Sequence, residues 1–475
     1  MKFVNEKLIE FNEYIRNKKV AIIGLGISNI PLVEYLHKLG SDITLFNNKP
    51  ISELDKRVLD MIYGYKLKFS FGENYLSKLV GFDVIFRSPS CRPDLPQIQK
   101  ELERGAILTS EIELVLELCP GTTIGITGSD GKTTTTSLIY EILKEQNLKC
   151  YLGGNIGIPL FTKLSEMKPE NYVVLELSSF QLMTMQTSPN IAVVTNVTPN
   201  HLDIHKSYEE YINSKANIFK YQKENDLLVL NYENEITKNF AKQAKGKVTY
   251  FSSKTKLDNG VILDNGIIKI CDDGLRRHVV NTKDIKLRGI HNSENICAAI
   301  AATKGNACIE SQTQAITNFS GVNHRLEFVK EINGAKWYND SIASSPTRTI
   351  AGLNSFDENI VLIAGGYDKH LDYSPLAKPI IDKVKTLILL GQTSEKIYQA
   401  VSNEQNLDVG VGVPDDLSKK IKIFKVQTLE EAVSKAKEVS KKGDVVLFSP
   451  ASASFDMFKN FEERGNNFKQ LVNKL

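Results

Sequence analysis

Short β-branched runs alternate with helical stretches almost from one end of the chain to the other. The pattern predicts strands at 19–23, 42–46, 83–87, 122–126, 172–177, 191–196 and 227–231, then at 359–364, 386–390 and 444–448. Several are continuous apolar runs rather than alternating ones, as expected of parallel strands covered on both faces. Helical segments between them, such as 30–39 and 135–146, predict βαβ units. One stretch departs from this rule. VILDNGIIKI (261–270) sets an Asp-Asn-Gly turn between β-rich arms and predicts a hairpin. Boundaries fall near Ser110, where a first α/β unit gives way to ELVLELCPG, and near Ser320, after an alanine-rich helical stretch.

Length and charge narrow the picture. At ~150 residues per domain, 475 residues predict roughly three domains. Fifty-nine Lys and Arg against 56 Asp and Glu leave a formal charge of +3. That is too little for a chain that coats nucleic acid or a membrane through bulk charge, so neither partner is expected. No apolar run approaches the ~18 residues that span a bilayer. The charged start, MKFVNEKLIEFNEYIRNKK, lacks the apolar stretch of a signal peptide. The six cysteines are scattered and never form CxxC, which fits reduced thiols better than a disulfide frame or zinc site. A cytoplasmic globular protein, acting as a monomer, is the expectation.

Two glycine clusters follow strands. In GLGISN, Gly24 and Gly26 open a helix, where a backbone that must approach a diphosphate needs residues without a Cβ. Asn29 replaces the third glycine of the dinucleotide fingerprint, and Asn47 and Asn48 stand where a ribose-binding acid would. Ordinary NAD binding is therefore disfavoured, and a plain tight turn is the alternative. The second cluster, GITGSDGKTTTT, is far more specific. Gly128 and Gly131, with Ser129 and Asp130 between them, let backbone N–H groups wrap phosphates. Lys132 can reach the β and γ oxygens, and a Thr133 or Thr134 hydroxyl can hold Mg²⁺. The strict P-loop pattern wants glycine at Ile126, and this chain has Gly125 instead. The segment predicts an ATP site.

A third constellation supplies acid and base groups. LELSSFQL places Glu176 near the C-terminal end of a buried strand, and a carboxylate there costs free energy unless paired or metal-bound. In NVTPNHLDIH, His201 can supply a second ligand to a cation shared with the phosphates. A histidine near a strand end is, taken alone, more often a hydrogen-bonded surface residue. SYEEYINSKANIFK opens with the capping pair Ser207 and Glu210 and runs as a helix. Lys215 lies on its apolar stripe between Tyr211 and Phe219. Such a lysine either snorkels to water or is a desolvated amine of lowered pKa.

These segments resemble a known family. GITGSDGKTT, LELSSFQ, NVTPNHLD, the lysine of YINSKANIF, GIHNSEN and HRLE follow the order found in the Mur ligases, which build the peptide stem of bacterial peptidoglycan. The resemblance covers nearly the whole chain. It implies a Rossmann-like UDP-binding domain at 1–110, a P-loop ATPase-like central domain with a mixed sheet at 111–320, and a mobile Rossmann-like domain at 321–475 for the incoming amino acid. SPSCRPDLP, GGYDKHLDYSPL and SPASASFDMFKNFEERG are most similar to the branch that adds D-glutamate to UDP-N-acetylmuramoyl-L-alanine.

Carried over by position, the resemblance implies that Gly128 to Thr134 hold ATP with Asn295, Arg325 and Asp340. It implies that Thr133, Glu176, His201 and Lys215 hold Mg²⁺ at two sites, with Lys215 carbamylated and with Lys132, His201 and Lys215 catalytic. Ser28, Asn47, Ser88, Asn155, Ser178 and Gln181 would face the UDP-sugar; Lys369, Ser454, Phe455 and Phe461 would surround D-glutamate. Departures are Ile342 where a lysine is common, with Arg348 a candidate replacement, Asn47 where an Asp is common, and SPS for SPG at 88–90. Competing expectations are a sibling ligase, a folylpolyglutamate synthetase-like enzyme with another acceptor, or a P-loop regulator without turnover.

Overall fold

Three parallel-rich sheets organise the α/β chain, whose computed structural model describes residues 3–54, 56–200, 204–287, 289–369, 371–408 and 421–475. The first sheet contains β1 (Lys19–Ile23), β2 (Asp42–Asn47), β3 (Lys68–Phe71), β4 (Val84–Arg87) and β5 (Ile107–Thr109), all parallel, in the order β3-β2-β1-β4-β5. The second contains β6 (Thr122–Thr127), β7 (Cys150–Gly154), β8 (Tyr172–Glu176), β9 (Ile191–Val194), β10 (Leu227–Asn231), β11 (Lys247–Ser252), β12 (Gly260–Asp264), β13 (Ile267–Asp272) and β14 (Leu275–Asn281). Its order is β14-β13-β12-β11-β10-β9-β6-β8-β7, with antiparallel pairing only at the β12–β13–β14 end. The expected hairpin is β12–β13.

The third sheet contains β15 (Glu327–Ile332), β16 (Ala335–Asn339), β17 (Ile360–Ala364), β18 (Val384–Leu389), β19 (Lys422–Lys425) and β20 (Val445–Phe448). Its order is β15-β16-β20-β17-β18-β19, and only β15 is antiparallel. The predicted strands all occur, within two residues at each end. Those not foreseen are mostly short, edge or charged strands: β3 and β5, the glycine-ended β7, β11, β14 (LRRHVVN), β15, β16 and β19. Pairing, not apolar pattern, makes them strands.

The chain divides into two compact units, residues 1–285 with 290–318, and residues 286–289 with 319–475. The first two sheets share a unit for a visible reason. The Glu111–Leu118 helix, capped by Ser110, buries Ile112, Val115 and Leu118 in one apolar core with Val20 and Ile22 of β1 and Val173 and Leu175 of β8. In the second unit, β17 sends Leu362 to one core and Val361 and Ile363 to another, so both faces of the sheet are covered. Among the described residues no helix is long and apolar enough to cross a membrane.

Each sheet directs its loops to the C-terminal edge, where open α/β sheets bind ligands at the switch in strand order. In the first sheet that switch lies between β1 and β4. Gly24 leaves β1 with φ +86°, and a Cβ there would lie 2.5 Å from Ser88 Oγ at the end of β4. Gly26, by contrast, faces open space. Gly24→Ala should therefore cost about 1–3 kcal/mol in urea unfolding, from the left-handed backbone and the overlap together. Adding Ser88→Gly should recover the overlap part and leave the backbone part.

Candidate active site

The phosphate loop is held from behind by the chain itself. β6 ends at Thr127, and the Lys132–Glu145 helix begins after Gly131, which takes φ +80°. At Gly128 a Cβ would lie 1.8 Å from Thr195 Oγ1, and at Gly131 one would lie 2.2 Å from Asn295 Oδ1. Both glycines are therefore required by packing as well as by any phosphate. Ser129 N donates to Asn196 O (2.9 Å) and Asp130 N to Asn196 Oδ1 (3.0 Å). Thr195 Oγ1 donates to Asp130 O (2.6 Å), and Ser129 Oγ to Thr198 O (2.9 Å). Lys132 folds over the loop, its Nζ 2.9 Å from both Gly128 O and Ser129 O.

Glu176 closes β8 beside this loop and is 2% exposed. Asn155 Nδ2 donates to its Oε1 at 2.9 Å, whereas Oε2 is buried with no hydrogen-bond partner. An orphaned carboxylate oxygen is expensive in a polar-poor site unless a cation completes it, so the donor set fits Mg²⁺. Thr133 stands in the first turn of the adjoining helix. His201 lies outside the described residues, and among those described no group of three acidic, histidine or cysteine residues is clustered for a metal. Ser178 and Gln181 pair with each other: they form a capping box, with Ser178 N and Oγ both 2.9 Å from Gln181 Oε1.

Lys215 is strongly perturbed. It is 1% exposed on the Tyr208–Lys220 helix, with Nζ 2.7 Å from Gly128 O and 4.6 Å from the centre of the Tyr211 ring. Burial, and then the charge of Lys132, lower its pKa to about 6, and Asp130 only partly opposes them. The snorkelling alternative fails because the stripe is covered. The result is a neutral amine at neutral pH.

Asn295 packs against the loop at Gly131 and lies 3.4 Å from Thr135 Oγ1. Arg325 and Asp340 belong to the other unit. Asp340 directly follows β16 and is buried; burial pushes its carboxyl up to about 7, although Ser449 Oγ donates to it at 2.8 Å and Leu326 N at 3.2 Å. Arg348 reaches the Ile342 carbonyl at 3.4 Å and adds a weak favourable charge at Asp340. Ser454 is buried, and exposed Phe455 carries Lys369 Nζ 5.6 Å from its ring centre and Tyr367 edge-on at 5.8 Å. Phe461 starts the last helix, 6.1 Å from the His324 ring. Around the first sheet's switch, Ser28 precedes the Asn29–Leu39 helix, Asn47 ends β2, and Ser88 Oγ meets Ser90 Oγ at 3.0 Å.

Several supporting residues were not foreseen. Thr195, just past β9, braces the phosphate loop beside Asn196 of the NVTPNHLDIH segment; its signal is the polar end of an otherwise apolar strand. Arg464 is buried and donates to Ser341 O (2.8 Å), Ser341 Oγ (3.1 Å), Ser452 O (3.0 Å) and Ala453 O (2.7 Å). It fastens the 449–456 loop, and burial lowers its pKa to about 10.

A glycine-turned loop at a helix start, with Glu176 Oε2 unpartnered beside it, gives the first unit the form of a phosphate cradle. Residues 126–303 match the Mur ligase middle domain, and residues 324–452 the Mur ligase glutamate ligase domain. The chain is 53% identical to the UDP-N-acetylmuramoylalanine–D-glutamate ligase of Acetivibrio thermocellus, over 99% of this chain and 100% of that one. It is 50% identical to the ligase of the same name from Clostridium novyi, over 98% and 99%. The chain belongs to the Mur ligase family. Among solved structures, UDP-N-acetylmuramate-alanine ligase from Thermotoga maritima shares the fold, with a TM-score of 0.56 at 19% identity over 96% of this chain and 99% of that one. A MurF ligase from the same organism, in complex with ADP, gives 0.54 at 18% over 98% and 97%.

The state of Lys215 has a measurable sign. Between pH 6 and its unfolded value near 10.5, the folded chain binds fewer protons at this position than the unfolded chain does. Raising pH through that window therefore favours folding, and the penalty is fully present below pH 6. In CO₂-free buffer, urea unfolding should show wild type gaining stability on Lys215→Met from pH 6 to pH 9. Parallel curves would place a charged amine there instead.

Proposed function

We infer that this chain joins the amino group of D-glutamate to the carboxylate of UDP-N-acetylmuramoyl-L-alanine, using ATP, in peptidoglycan synthesis. The full-length identity of about half to ligases of that name carries the reading, and the phosphate loop with Glu176 supplies its chemistry. The substrate carboxylate attacks the γ-phosphorus of ATP, releasing ADP and leaving an acyl phosphate. The D-glutamate amine attacks that carbonyl, loses a proton, and the tetrahedral intermediate expels phosphate. Two anions must meet in the first step, so the work is mainly electrostatic. The 128–131 backbone and Lys132 would take the phosphates, once Lys132 exchanges its carbonyl partners for phosphate oxygens.

Glu176, with Thr133 and His201, would hold Mg²⁺, which neutralises phosphate charge when bound. The low basicity of Lys215 supports carbamylation: a neutral amine adds CO₂ and releases a proton, giving a carboxylate for a second Mg²⁺. The three sheets support three domains: UDP-sugar at the first around Ser28, Asn47 and Ser88; ATP at the second; D-glutamate at the third around Lys369, Ser454, Phe455 and Phe461. Asn155 serves two readings, since one N–H of its amide is already given to Glu176 and the rest of the amide is left for the substrate. We assign Ser178 and Gln181 to holding the turn beside the substrate. We place Asn295 at the nucleotide, and the enzyme in the cytoplasm as a monomer.

Phosphate release should require ATP, UDP-N-acetylmuramoyl-L-alanine and D-glutamate together, and Lys132→Ala should lower it about 10²-fold or more. Turnover with another amino acid but not D-glutamate would move the chain to a sibling activity; no turnover with unchanged biological activity of Lys132→Ala would make it a regulator. Stripping CO₂ and bicarbonate should lower activity severalfold, and adding bicarbonate should restore it. Labelled bicarbonate should give a carbamate carbon resonance that Lys215→Ala lacks; a plain amine at full activity would refute the modification.

A further inference from the structure

Two arginines flank the 88–90 loop, and both reach past their own sheet. Arg87, the last residue of β4, is 2% exposed. Its Nη1 donates to the loop's own carbonyls, Cys91 O at 2.7 Å, Ser88 O at 3.3 Å and Pro89 O at 3.4 Å. Its Nη2 donates instead to Phe180 O at 2.7 Å and Thr184 Oγ1 at 3.2 Å, in the turn that follows Glu176. Arg92 repeats the division. Nε and Nη2 bond Asp94 at 2.9 and 3.1 Å, whereas Nη1 bonds Ile204 O at 2.7 Å and Nη2 bonds Glu210 at 2.8 Å. Lys206 also pairs with Asp94.

One ring stack joins the segments that the two arms reach. The Phe180 and His205 rings lie 5.1 Å apart at 13°, and His205 Nε2 meets Ser179 Oγ at 3.0 Å while Nδ1 lies 3.5 Å from Glu210. Glu210 is in the first turn of the helix that carries Tyr211 and Lys215. The frame thus runs from Arg87 through Phe180, His205 and Glu210 to Arg92. A buried guanidinium held only by neutral acceptors is a costly device for packing alone, since an apolar side chain of similar volume would serve as well. What a rigid planar fork adds is a fixed spacing between the segments it bridges.

We propose that Arg87 and Arg92 are positioning residues that set the distance between the UDP-sugar loop and the phosphate-transfer site. This rests on the function inferred above, in which one substrate molecule spans both places. Its diphosphate end is held near Ser88 and its carboxylate must lie in line with the γ-phosphorus. A misplacement of about 1 Å costs such a reaction on the order of 10²-fold. The frame acts only on a substrate that is anchored at both ends.

That last point provides the test. Arg92→Met, at a partly exposed site, is compared with wild type on UDP-N-acetylmuramoyl-L-alanine and on N-acetylmuramoyl-L-alanine, which lacks the nucleotide anchor. The preference for the UDP-linked acceptor, as a ratio of kcat/KM, should fall about tenfold, with kcat falling and the KM for ATP unchanged within about twofold. Glu210→Gln should do the same, and the double variant should fall no further than the worse single one. Equal losses on both acceptors, or none on either, would overturn the proposal. Should Arg92→Met not fold, Arg87→Lys, which keeps the charge and loses the fork, carries the same comparison. Failure of the underlying function is distinct: wild type itself would then show no D-glutamate-dependent turnover.

Discussion

The carbonyl oxygen of Gly128 accepts from two lysines, Lys132 at 2.9 Å and Lys215 at 2.7 Å, and much of the site follows from that convergence. One lysine comes from the helix after the loop, the other from a helix 87 residues away. Burial strips the Lys215 ammonium of water, the nearby charge of Lys132 adds repulsion, and Lys215 yields its proton. Thr195 presses on Gly128 from behind, where no Cβ would fit. The loop's shape, the protonation of Lys215 and the route of the Tyr208–Lys220 helix are thus parts of one packing solution.

That solution explains which features were legible along the chain. Gly128, Gly131 and Lys132 lie within five residues, and their chemistry is local, so the phosphate loop could be read directly. Lys215 was legible as an anomaly on an apolar stripe, and Ser207 does accept from Glu210 N at 3.1 Å. The Glu210 side chain, however, accepts from Lys206 N at 2.7 Å at the helix start and at the same time from Arg92, a partner 118 residues away. Arg464 and Arg87 likewise act across long separations, and nothing in their local sequence marks them. Ser178 and Gln181 show the converse case. Their spacing was a capping signal, and resemblance alone gave them to a substrate.

Edge strands escaped for a related reason. β14 and β15 are bounded by a neighbour on one side only, so charged residues such as Arg276 and Lys330 cost nothing there, and the apolar run that reveals β9 or β17 is missing. Interior strands with continuous apolar runs were found because both faces are covered, whereas β11 (KVTYFS) and β16 (AKWYN), interior too, lack such a run. The functional groups then lie where those strands stop, at Thr195, Glu176 and Asp340, which is why apolar runs read at 172–177 and 191–196 overshoot the observed ends.

The near-neutral total charge also takes on a local meaning. Arg87, Arg464 and Lys215 are buried basic side chains, and all three are met chiefly by carbonyl or hydroxyl oxygens rather than by carboxylates. They respond differently. The guanidinium groups are depressed by burial but remain charged, Arg464 to about 10, because delocalised charge and several planar donors suit a fixed frame. Lys215 has one compact ammonium, and its descent to about 6 changes its state within the physiological range. A chain that needs rigid spacing between distant segments therefore uses arginine there. At Lys215 the same burial falls on a single compact ammonium, and there it turns a basic residue into a neutral amine.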